Sequence, residues 1–180
     1  MISKKALALT IISALTSAPA TAADNPASHH HGHAEMQLAI SGNQVELLLV
    51  SPAGNIFGFE HHPRTPEQHQ IVSSATDWLG ETPLVNTPES TCTVQEGSVQ
   101  HELAGDHEHD EHAHGDQGQH ADITVTQVLL CPGLDQSMSL TTPLSTRFPG
   151  LEHLDVAWVG PDGQGAIRLS HEESSFRLGR

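Results

Sequence analysis

Ala34, Met36, Leu38 and Ile40 are apolar at every second position, and His33, Glu35, Gln37 and Ala39 fill the places between. Period two belongs to a strand with one face buried, because successive side chains of an extended chain point to opposite faces. A helix would scatter the same residues around its circumference. Ser41-Gly42-Asn43 then reads as a tight turn. Val45, Leu47 and Leu49 resume the alternation, with a second face (Glu46, Leu48, Val50) that is also partly apolar. The two segments predict a hairpin that must lay one face on a core.

One other periodicity is clear. In "TPEQ" (65–68), Thr65 suits a helix N-cap, Pro66 the first helical position and Gln68 the return arm of a capping box. Ile71, Val72, Ala75, Trp78 and Leu79 share a helical face, with Trp78 as a core anchor, and Gly80 can end the helix. Ser51–Phe59 reads as a loop. Strands are expected at 91–99 and from Ile123 to Leu129, and a short helix at 143–148. A hairpin is expected around Pro161-Asp162-Gly163, and a last edge strand at Phe176 and Leu178. The expected fold class is α+β: a single domain of mostly antiparallel strands, one clear amphipathic helix and a long disordered His-rich loop.

The first 22 residues read as a secretory signal peptide. Lys4 and Lys5 start it, Ala6–Leu15 is the apolar run, and Ala20-Thr21-Ala22 predicts cleavage after Ala22. That run is too short to span a bilayer. Residues 23–180 are then one exported domain, and no membrane insertion of the mature chain is expected. Without the two lysines the formal charge of −15 becomes −17. A chain so acidic is repelled by nucleic acid and anionic lipid and attracts cations. In an exported protein the two cysteines, Cys92 and Cys131, are expected to form a disulfide; two buried thiols are the alternative. They bracket the His-rich segment in sequence, so the pair is expected to staple its roots to one sheet.

No phosphate loop, nucleophile elbow or zinc-protease helix motif is present, tyrosine is absent and aromatics are scarce. Imidazole is the abundant functional group. "GDHEHDEHAHGDQGQH" (105–120) holds His107, His109, His112, His114 and His120 among acids and glycines, with no apolar residue larger than alanine. Such a stretch cannot bury itself. Its imidazoles suit zinc, nickel or copper(II), and residues 105–119 are read as a flexible metal collector. The alternative is a solvated insertion with no task. A second group, His29, His31 and His33, points one way if the chain there is extended, towards the face that carries Glu35. A third is Glu60 with His61 and His62. His120 starts a strand, and would approach the N-terminal group if that strand neighboured the first. His69, His153 and His171 read as surface or packing residues.

"HHHG" at 29–32, "SPAGNIFGFEH" at 51–61, His120-Ala121-Asp122-Ile123 after the His-rich insertion and "FPGLEHLDVAWVGPDGQ" near the end resemble the ZrgA-like family of periplasmic zinc-uptake proteins of Gram-negative bacteria. The resemblance implies a zinc-binding periplasmic protein that assists an inner-membrane zinc ABC transporter. Zn²⁺ is then bound cargo, and His29, His31, His61, His120 and the loop histidines are candidate ligands. Zinc rather than nickel comes from the resemblance alone. Two other readings stay open: a periplasmic buffer that sequesters excess zinc, nickel or copper(II), and a metal-dependent hydrolase, which would need an open coordination position and a nearby general base.

Overall fold

A computed structural model describes residues 31–103, 121–134 and 139–179. The predicted hairpin is present. Strand β1 (His33–Ser41) pairs antiparallel with β2 (Gln44–Pro52) from Glu35↔Val50 to Ser41↔Gln44. Gly42 takes a φ of 57°, the left-handed backbone that the first central residue of such a two-residue turn requires.

The remaining elements follow in chain order: α1 (Ala53–Phe57), α2 (Pro66–Glu81), β3 (Thr93–His101), β4 (Asp122–Leu130), β5 (Ser139–Thr141), α3 (Leu144–Arg147), β6 (His153–Gly160), β7 (Gly163–Ser170) and β8 (Ser175–Arg177). Six strands form one sheet in the order β3-β4-β2-β1-β6-β7, and β5 pairs with β8 apart from it. All pairs are antiparallel except β1 with β6. The architecture is α+β with strands dominant.

Alternation builds the core. Met36 and Leu38 of β1, Val45, Leu47 and Leu49 of β2, Ile123, Val125 and Leu129 of β4, and Leu154 and Val156 of β6 are buried on one face. Ala75 and Leu79 of α2 are buried with them in the same core. Trp78 is partly buried and meets Phe148 edge-on at 5.3 Å, with the Arg147 guanidinium over its ring. Ile71 differs from its sequence pattern. It is 43% exposed and borders a cleft beside Arg147 and Phe148.

Gln127 is the polar residue on the buried face of β4, only 2% exposed. Its amide nitrogen donates to the carbonyls of Leu79 and Thr82, each at 2.8 Å, and its oxygen accepts from the Leu84 amide at 3.1 Å. Helix ends leave carbonyls without intrahelical partners. Gln127 satisfies two of them at the end of α2, and the helix runs past Gly80 to Glu81. At the other end Thr65 Oγ1 accepts the Gln68 amide at 3.3 Å. The Gln68 side chain reaches back to the Arg64 amide at 2.8 Å, one residue earlier than a capping box would have it.

Three readings of the sequence are revised. Residues 53–57 form helix α1 rather than loop, closed by Gly58 at φ 81° with its amide on the Gly54 carbonyl at 2.9 Å. Strand β4 neighbours β2 and β3, not β1, so a strand separates the start of β4 from the N-terminal histidines. The Cys92–Cys131 disulfide is present, but at the far end of the β3–β4 ladder. Thr93 pairs with Leu130 beside it, whereas His101 pairs with Ile123 at the opposite end. The ladder itself, not the disulfide, brings together Leu103 and Ala121, the described flanks of the His-rich segment. No helix among the described residues is long and apolar enough to cross a membrane.

Candidate metal centre

The sheet register gathers histidines at one end. His33 of β1 lies opposite His153 of β6, Pro52 of β2 opposite Asp122 of β4, and His101 of β3 opposite Ile123. The Ala53 amide donates to the Ala121 carbonyl at 2.7 Å, so the chain leaving residue 120 is anchored at the first residue of α1.

Asn55 of α1 positions the start of β1. It is 5% exposed. Its oxygen accepts the Gly32 amide at 2.7 Å, and its nitrogen donates to the His33 carbonyl at 2.8 Å and to Ser51 Oγ at 3.2 Å. Gly32 has a φ of 84°. That turn ends the extended chain, so His31 and His33 do not continue one alternating face: they take different partners.

His31 Nδ1 stands 3.6 Å from Glu60 Oε1. That is too long for a hydrogen bond. One zinc ion held tetrahedrally by both atoms at about 2.0–2.2 Å each would place them about 3.4 Å apart, a small adjustment from the observed gap. A cleft of about 450 Å³ surrounds the pair. Glu152 lines it too, and a Cβ on Gly32 would meet the Glu152 side chain. Gly54 leaves the space that Glu60 occupies: a Cβ there would stand 3.3 Å from Glu60 Oε1.

His61 stacks on Phe59 with ring centroids 5.1 Å apart. Its Nδ1 lies 2.7 Å from the His62 carbonyl. A carbonyl only accepts, so Nδ1 carries the proton there and Nε2 keeps its lone pair for a metal. His33 faces His153 at 4.8 Å between ring centroids. Asp155 lies two residues along β6, and the hydrogen bonds from Arg168, above all, hold its carboxyl below the usual range.

His29, His107, His109, His112, His114 and His120, the signal peptide and the 105–119 loop lie outside the described residues. Among the described residues no three or more His, Cys, Asp or Glu side chains converge as a complete metal cage. A concavity of about 650 Å³ sits mid-sheet against Leu48, Val128 and Ala157 and has no histidine or cysteine in its wall. It is a mostly apolar trough.

Sequence reasoning passed over Asn55, Glu152 and His153. Asn55 was visible as the one amide in "SPAGNIFGF", and a buried amide between strand and helix is a positioning device. Glu152 and His153 gave no local signal, because a parallel partner far along the chain brings them here.

No curated protein matches the chain. A family model described as "ZrgA family zinc uptake protein" matches residues 28–178. The chain belongs to the ZrgA family of zinc uptake proteins.

Proposed function

We propose that the chain is a periplasmic zinc carrier. Residues 1–22 direct export and are removed after Ala22. The domain 23–180 binds Zn²⁺ as cargo and supplies it to an inner-membrane zinc ABC transporter, and no bond is made or broken. The observation that carries this reading is the family match across residues 28–178. Two features support it. The chain's dominant unabsorbed chemistry is imidazole, and His31 and Glu60 lie 3.6 Å apart in an open cleft. In this reading His31 and Glu60 begin the ordered site, and His61, the next residue after Glu60, is drawn in as a further ligand when zinc binds. His29, His33 and His120 are further candidate ligands, and His107, His109, His112 and His114 collect ions for it.

The test is zinc accumulation in cells that lack the gene, under zinc starvation, with the protein restored or withheld. The proposal expects slower uptake without the protein and its recovery from periplasmic extracts. A strain that takes up zinc normally under starvation, but becomes sensitive to excess zinc, would assign the protein to metal sequestration instead.

A further inference from the structure

His33 and His153 stand outside the His31–Glu60 cleft, and they pack against each other. The parallel register sets them side by side. Their ring planes are inclined by 52°, with centroids 4.8 Å apart, so the rings are not stacked. Two imidazoles bound tetrahedrally to one zinc ion, with Zn–N about 2.0–2.1 Å, have centroids about 5 Å apart. The pair is already at that spacing. His153 Nδ1 is also shut away from solvent and has no hydrogen-bond partner among the described residues. A buried polar nitrogen is costly to leave unsatisfied, and a cation there supplies what the protein does not.

The carboxylate two residues along β6 is already engaged. Asp155 Oδ1 and Oδ2 accept from Arg168 Nε and a terminal guanidinium nitrogen, each at 2.7 Å. Ser170 lies opposite His153 on β7, and its hydroxyl donates to Glu173 at 2.8 Å. The pair therefore offers the ion two nitrogens; the rings must part to admit it, since His153 Nδ1 is closed to solvent, and the remaining positions then fall to water or an incoming ligand. Closed four-ligand zinc sites are structural, whereas an ion held by only two protein nitrogens is held less tightly and can leave. An exchangeable site is what a carrier requires.

We infer that His33 and His153 form a second zinc site, an open two-imidazole site on the β1–β6 pair, distinct from the His31–Glu60 cleft. The inference rests on the zinc-binding reading above. Its test is a titration of the protein, purified from periplasmic extracts, with zinc alone. The readout is the ¹H–¹⁵N correlations of the imidazole rings. The His33 and His153 rings should shift together and saturate with a common equivalent of zinc. If other histidine rings respond and these two do not, the inference fails and the zinc-binding reading stands. If no ring responds, both fail. His153→Gln gives an independent check: a folded variant should bind one zinc fewer per chain, and an unchanged stoichiometry would overturn the site.

Discussion

Asn55 Oδ1 accepts the Gly32 amide at 2.7 Å and so fixes the point at which β1 begins. The same side chain donates to the His33 carbonyl, so residues on both sides of the Gly32 turn depend on it. Asn55→Ala removes every one of these bonds and leaves the Gly32 amide without its partner. A buried donor left unsatisfied costs about 1–3 kcal/mol. Urea unfolding should show a loss of about 2–3 kcal/mol, with weaker zinc binding at His31. A variant as stable as the parent would show that Asn55 does not anchor the strand.

Gln127 gives the second prediction. Gln127→Leu keeps the volume roughly constant but strips donors from the Leu79 and Thr82 carbonyls. It should destabilise the fold by about 2–3 kcal/mol, since buried carbonyls lose partners while apolar area is gained. Amide exchange should rise first in the last turn of α2. Uniform exchange along the helix would contradict the capping role.

Much of this fold was legible in the sequence. Period-two alternation at 34–50, the Thr65–Gln68 cap and Pro161-Asp162-Gly163 each depend on neighbours within a few residues, and each is present. The β1–β6 pairing was not legible, because a parallel pair joins segments more than a hundred residues apart with no local sign of partnership. The candidate site divides the same way. His31, Glu60 and His61 stood out by composition. His153 looked like packing because its partner, His33, is near only through that parallel register.

The disulfide should separate stability from metal binding. Cys92 and Cys131 are 39 residues apart in sequence, and closing such a loop is worth roughly 4 kcal/mol in the chain-entropy model. Replacing both by alanine should lower stability by a comparable amount. Zinc stoichiometry should not change, because the bond closes the end of the β3–β4 ladder away from Leu103 and Ala121. A loss of bound zinc in a folded double variant would show that the disulfide organises the metal site.

Glu67 sets a pH dependence at the start of α2. A hydrogen bond from its own backbone amide, then one from Thr65, holds its carboxyl below the ordinary value of 4.5. A depressed folded-state value means that the stabilisation is present above the unfolded value and is lost as pH falls through the folded one. Carbon-detected titration should place this carboxyl below the exposed glutamates. In Glu67→Gln, helix stability should vary less with pH across that acid window. Equal titration of Glu67 and a free glutamate would refute these hydrogen bonds to the Glu67 carboxylate.

Calorimetry of zinc into the purified mature protein at neutral pH decides whether the protein is a zinc binder. A ligating imidazole must be neutral, and free histidine titrates near 6.5, so binding should weaken sharply towards about pH 5. Heat from more than one equivalent of zinc is expected, with a dissociation constant in the micromolar range or below at neutral pH. Binding no tighter than millimolar at neutral pH would rule out a zinc carrier.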